Sequence, residues 1–180
     1  MGPRSTLSRN LSWVEKGNQL KMADLVLEAL NLTGVGYEII ECDPDLADTT
    51  AFCEYYGYKP EESANAIMVA GKGESRIYAM CVVLATTRID VNKSVRKKLG
   101  TKKASFASPE EATEITGMTL GGVTPFGLPN DLPLWIDSRV MGCEKVIVGG
   151  GSRNRKIYVP PRALSSLPNA EIVEDLAKEG

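Results

Sequence analysis

Apolar positions along the chain follow two rhythms, one helical and one alternating. From Asn18 to Leu32 the set Leu20, Ala23, Leu25, Val26, Leu27, Ala29 and Leu30 recurs at helical spacing. This predicts an amphipathic helix, stopped by Gly34 and Gly36. Residues 1–16 ahead of it are polar and unpatterned, and read as a loose arm or a short first helix. Tyr37–Cys42 (YEIIEC) predicts a short strand, and Asp43, Pro44 and Asp45 a turn. Asp48 stands where it would cap a helix over Thr49–Tyr56 that Gly57 ends. Ala64–Gly71 and Ser75–Ala85 are apolar runs joined by Lys72-Gly73-Glu74, the pattern of a β-hairpin. The second run is apolar on both faces, which predicts a central position in its sheet.

The second half alternates more quickly. A basic helix is predicted over Asn92–Leu99, then a strand in KKASFA. Ser108-Pro109-Glu110-Glu111 marks a helix start, with Ser at the cap, Pro in the first position and acids in the first turn. That helix ends at Gly117, and a Gly/Pro-dense loop follows over Gly121–Asp131. Leu132–Asp137, Lys145–Gly150 and Lys156–Pro160 predict strands. A short helix near Pro161–Leu164 and a last strand or helix, AEIVEDLAKE, complete the chain. At 180 residues this is one domain, and the irregular mixture of elements predicts the α+β class around a mixed sheet.

Composition narrows the chemistry. The chain has no histidine, which excludes Ser–His–Asp and Cys–His nucleophile pairs and His-anchored zinc sites. Cys42, Cys53, Cys81 and Cys143 form no CxxC pair, so they read as free thiols of a reducing, cytoplasmic protein. No apolar run is long enough to span a membrane, and the first residues lack a secretory apolar segment. No metal and no cofactor is expected, and neither membrane nor DNA is an expected partner.

The net charge is only −2, yet 11 of the 21 basic residues lie in two stretches. These are Arg88–Lys103, which includes Lys93, Arg96, Lys97 and Lys98, and Gly151–Arg162, which includes Arg153 and Arg155. Such asymmetry gives an acidic protein one basic face suited to a phosphate backbone; the plainer reading is a solvated helix and a charged hairpin. In GGVTPFG, Gly121 and Gly122 let backbone approach a ligand closely, while Pro125 stiffens the loop and biases Thr124 to an extended shape. This loop could aim N–H groups at an oxyanion, or could be a tight helix-to-strand connection. The turn GGGSRNRK (Gly149–Lys156) could hold a phosphate or be a flexible hairpin; it is neither GxGxxG nor Walker A. Asp137 ends an apolar strand, facing a cleft or capping the turn at Ser138.

Taken in order, DTTAFCEYYGY, the hairpin, the segment from RIDVNKSVRKKLG to GGVTPFG, LPLWIDSRV and KVIVGGGSRNRKI resemble the YbaK/ProX family over residues 35–175. These are relatives of the editing insertion domain of bacterial prolyl-tRNA synthetase. The resemblance implies an editing domain over residues 17–180 with a strongly curved, barrel-like mixed sheet and flanking helices. It also implies a trans-editing aminoacyl-tRNA deacylase, hydrolysing the ester of a mischarged tRNA without a metal. By the same resemblance Gly121 to Pro125 shape the site, and Asp137, Gly150 and Gly151 fall at pocket positions. The family carries a lysine at the start of the first central strand; here the segment reads SANAIMV, with Asn65 in that place.

On this reading the acceptor end of an aminoacyl-tRNA docks on Lys93, Arg96, Lys97, Lys98, Arg153 and Arg155. The aminoacyl group enters beside Thr124, Pro125, Phe126 and Gly127. Gly121 and Gly122 polarise the ester, Asn65 or the ribose hydroxyl holds the water, and Asp137 lines the site. An aminoacyl-tRNA synthetase is a possible partner. The alternative is a module that binds aminoacyl-tRNA or an amino-acid derivative and, lacking the lysine, does not turn it over.

Overall fold

The protein is described by a computed structural model covering residues 13–180. Helix α1 runs Trp13–Leu32, beginning ahead of the predicted Asn18, and the turn after it contains Gly34, whose φ of 67° is left-handed. The rest of the predicted N-terminal arm lies outside the described residues. Strand β1 (Glu38–Glu41) leads through a 3-10 turn at Pro44–Leu46 to α2 (Thr49–Tyr56), and then to β2 (Ala64–Lys72) and β3 (Ile77–Leu84). β4 (Thr87–Ile89) and a π-helical turn at Val91–Val95 precede α3 (Arg96–Leu99), β5 (Lys103–Phe106) and α4 (Pro109–Thr116). After a long loop come β6 (Leu134–Asp137), β7 (Val146–Gly149), β8 (Arg155–Val159), α5 (Arg162–Ser165), β9 (Ala170–Val173) and β10 (Ala177–Glu179).

Local chemistry sets the element ends. The Ser108 side chain accepts from the Glu111 N–H at 3.1 Å, and Glu111 reaches back to the Ser108 N–H at 2.8 Å. That reciprocal capping box starts α4, and Gly117 in the left-handed region stops it. Asp48 holds the cap position of α2 but makes no cap bond with its side chain.

The strands divide among three open sheets. The largest has the order β5-β2-β3-β6-β9, antiparallel on the β5 side of β3 and parallel from β3 through β6 to β9. β3 is central, as its apolar pattern predicts. One of its faces packs Met80 and Val82 with Phe126, Ile136, Val26 and Leu30. The other packs Ala79, Cys81 and Val83 with Val95, Trp135 and Leu176. The second sheet is β1-β8-β7, all antiparallel, and the third pairs β10 with β4. The α+β class holds, but the strongly curved, barrel-like sheet does not. β5 and β9 remain edges of the large sheet, and no pairing joins them among the described residues. The two larger sheets share one hydrophobic core and are joined by one parallel bridge, Ser63 to Ile147, where β2 begins. That seam positions the site.

Candidate active site

A cleft of about 250 Å³ opens along the seam. Its walls are the start of β2, the first turn of α2, the Leu120–Val123 loop and β7, with Lys156 of β8 also in the lining. Phe52, Ala64, Ile67, Ile147 and Val148 make the lining largely apolar, while Thr49, Ser63, Asn65, Gly121 and Lys156 supply polar groups. An apolar pocket with a few placed polar groups is the usual form of a small-ligand site.

The two glycine-rich segments of the sequence form one wall by lying on each other. The Gly151 N–H donates to the Gly122 carbonyl at 2.8 Å. A Cβ on Gly122 would stand 2.8 Å from Ser152 Cα, and one on Gly149 would meet the Val123 carbonyl. These glycines are therefore required by chain packing on chain, whatever a ligand also requires. Arg153 straps the wall from outside, donating to the Leu120 carbonyl at 3.0 Å and the Pro44 carbonyl at 2.9 Å. Arg155 donates to the Gly150 carbonyl at 2.6 Å.

Asn65 lies in the cleft, with its side-chain oxygen accepting from Thr49 Oγ1 at 2.8 Å. That bond leaves the amide NH₂ as the end available to a ligand. Lys156 is the cleft's cation, only 7% exposed. Its Nζ donates to the Ala47 carbonyl at 2.6 Å and the Gly121 carbonyl at 3.3 Å, and lies 5.7 Å from the centre of the Phe52 ring. Among the described residues no carboxylate forms an ion pair with it; Asp48, the acid of the cleft rim, is paired with Arg153 at 3.9 Å. Burial pulls the lysine pKa below its ordinary range, with the Cys42 thiol and Asp48 opposing and Arg153 adding to the shift.

Of the residues expected at the site, Asn65 and Gly121 meet in this cleft. Gly122 lies behind it, and its N–H is already donated to the Thr119 carbonyl at 2.9 Å. The Gly121 N–H makes no hydrogen bond among the described residues. Thr124 and Phe126 are buried in the core, while Pro125 and Gly127 face a separate groove. Gly150 and Gly151 build the turn behind the wall. Asp137 is fully buried away from the cleft. Its carboxylate accepts from the Arg139 N–H at 3.0 Å and the Ala177 N–H at 2.8 Å and pairs with the Arg139 side chain, so it caps the following turn and fastens β10. Lys93, Arg96 and Lys97 are exposed. Lys98 is engaged, 2.7 Å from Glu171 and over the Trp135 ring, and Arg153 and Arg155 serve backbone carbonyls of their own chain.

Sequence reasoning missed Thr49, Ser63 and Lys156 as cleft residues. The available signal for Lys156 was a lysine inside the apolar strand KIYV, but its burial follows from β8 lying between β1 and β7. The other groove, about 690 Å³, is bounded by Met22, Leu25, Leu128, Leu132 and Leu167. It is larger, and among the described residues no cationic side chain lines it, whereas Lys156 lines the smaller cleft.

The sequence profile of the aminoacyl-tRNA editing domain matches residues 43–167. The Bacillus subtilis (strain 168) protein YwhH, described as uncharacterized, is 30% identical over 142 residues, which are 79% of this chain and 88% of its own length. The Enterococcus faecalis "Putative Cys-tRNA(Pro)/Cys-tRNA(Cys) deacylase EbsC" is 27% identical over 100 residues, 56% of this chain and 60% of that one. Among solved structures, one described as "a putative trans-editing enzyme for prolyl tRNA synthetase" superposes with a TM-score of 0.73 at 25% identity, covering 88% of this chain and 98% of that one. The structure of "hypothetical protein APE2540", at 23% identity and a TM-score of 0.75, shares the fold over 85% of this chain and 99% of its own. Among the described residues there is no cluster of three metal-ligating side chains, and no helix is long and apolar enough to cross a membrane. The profile match spans the cleft wall to wall, from the turn before α2 through β8, and the chain belongs to the aminoacyl-tRNA editing domain family.

Proposed function

We propose that the seam cleft hydrolyses the ester joining a mischarged amino acid to the terminal adenosine of its tRNA, without a metal. The observation that carries this reading is one small apolar cleft in which the Asn65 amide and the Gly121 backbone face the same space. The amino-acid side chain sits against Phe52, Ala64 and Ile147, and the ester lies at the Gly121 edge. The Gly121 N–H polarises the carbonyl, and the Asn65 NH₂ orients the amino acid or the attacking water. Aminoacyl esters are activated, so holding water and ester in register supplies much of the rate. A volume of about 250 Å³ suits a small side chain. Steric selection of this kind separates neighbours by only ~1–3 kcal/mol per methylene, which is why editing adds a second site to synthetase selection. The tRNA backbone follows Lys93, Arg96 and Lys97, and a synthetase is the partner that would supply or protect the charged tRNA.

The test is deacylation of alanyl- and cysteinyl-tRNA(Pro) and of seryl- and threonyl-tRNAs, with binding recorded in parallel. Turnover above spontaneous hydrolysis on one of them is expected. Tight binding with no turnover on any would replace the deacylase with a binding module.

A further inference from the structure

We propose that the Lys156 ammonium is a catalytic contact of this site, donating a hydrogen bond to the ester carbonyl oxygen as that oxygen becomes an oxyanion. The inference rests on the deacylase reading above and assigns it a charged group.

An ammonium carries three donors. Two are committed, to the carbonyls of Ala47 and Gly121, and no acceptor among the described residues takes the third. The side chain is buried, yet it belongs to the cleft lining. Burying a cation without a carboxylate partner is costly, and two carbonyl dipoles and the face of Phe52 offset only part of that cost. A structural role alone would be met by a neutral donor between the same two carbonyls. The charge gains its full use only when negative charge arises beside it. In the ground state the ester oxygen is a weak partner; in the tetrahedral state it is an anion, so the interaction is stronger where it lowers the barrier. The two carbonyl bonds hold Nζ in place beforehand, one from Ala47 at the end of the 3-10 turn before α2 and one from the Gly121 loop, so little reorganisation accompanies the reaction.

The step balances without another reactant. Water oxygen bonds to the carbonyl carbon, and the C=O π pair moves to oxygen beside Lys156, which keeps its proton throughout. Collapse re-forms C=O and breaks the bond to the ribose oxygen. One proton of the water ends on that ribose hydroxyl, and the other is released as the amino acid leaves as its carboxylate.

The experiment is single-turnover deacylation at saturating enzyme, with tRNA affinity measured separately, for the wild type and for Lys156→Met. Loss of one oxyanion donor lowers such rates about 10²–10³-fold. The expected result is a chemical rate constant reduced about 100-fold, with Kd for the charged tRNA within about threefold of wild type. A folded variant with an unchanged rate constant, or one that loses affinity alone, overturns the proposal and leaves the deacylase reading standing. If the wild type turns over none of the substrates, the deacylase reading itself has failed and this contact fails with it.

If Lys156→Met does not fold, the wild-type pH profile decides. The groups facing Nζ are Cys42, Cys53, Asp48 and Arg153. Because burial lowers the lysine pKa and the protonated form is the active one, enzymatic turnover above background is expected to fall as pH rises through a value below 10.5. An enzymatic rate that keeps rising to that pH overturns the proposal.

Discussion

Replacing Gly122 with alanine tests whether the cleft wall is built by backbone lying on backbone. The new Cβ would stand 2.8 Å from both Cα and C of Ser152 and 2.9 Å from its N. All three are main-chain atoms, so no side chain can swing away, and the two segments must separate by most of an ångström. Overpacking of this kind costs ~1–3 kcal/mol. Separation also strains the Gly151 N–H to Gly122 carbonyl bond, and an unsatisfied buried group costs a further ~1–3 kcal/mol. The sum is about 2–6 kcal/mol. For a domain of this size each kcal/mol lowers Tm by roughly 2–4 °C, so a fall of about 4–24 °C is expected. Urea unfolding, read as the midpoint at constant m, is the assay. The variant should also lose turnover below its melting temperature, because Gly121 shifts with the wall. A loss of stability below 0.5 kcal/mol would refute the packing argument, and it would return these glycines to the role of leaving room for a ligand.

Three other outcomes follow from side chains already placed. Arg76, the Ser108 N–H and Tyr78 hold the Glu111 carboxyl down from 4.5 to about 2. The folded pKa is depressed, so its contribution is full above pH 4.5 and is lost as pH falls toward 2; Glu111→Gln should flatten that limb of a Tm-versus-pH curve, and an unchanged limb would assign it elsewhere. Asp137→Asn should destabilise by ~1–3 kcal/mol, since one carboxylate serves both the Arg139 and Ala177 N–H groups, while the single-turnover rate of the folded variant stays near wild type. A large loss of rate with intact folding would put Asp137 into the chemistry after all. Removing Lys93 and Lys97 together should lower the salt slope of tRNA binding by ~1.4–1.8, from two lost phosphate contacts, whereas Lys98→Ala should change it less because Glu171 already engages that ammonium.

The sequence carried the elements whose signals are local. The SPEE start of α4, the left-handed glycines 57 and 117, and the hairpin of β2 and β3 all depend on neighbours within a few residues, and they stand where pattern puts them. β4 and β10 are three-residue strands that exist because they pair with each other across half the chain, and no short window contains that information. The expected strongly curved, barrel-like sheet failed for a related reason: whether β5 and β9 meet depends on long-range pairing. Of the residues in the cleft, Gly121 was legible as part of an unusual loop, and Asn65 only through the resemblance, as the residue standing where the family carries a lysine. Asp137 had two readings, and the hydrogen bonds it accepts support the cap. Lys156 was legible only as one more positive charge. Its burial depends on which strands flank β8 and on α2 folding over it, neither of which is written near residue 156.

The most direct test of where the chemistry lies is a crystal structure with an amide-linked 3′-aminoacylamino-adenosine, an analogue that the enzyme cannot hydrolyse. Its aminoacyl group is expected in the seam cleft, with the carbonyl oxygen within hydrogen-bonding distance of Lys156 or the Gly121 N–H and the Asn65 amide against the ligand. Density for the aminoacyl group in the leucine-lined groove beside α1, with the seam cleft empty, would contradict it.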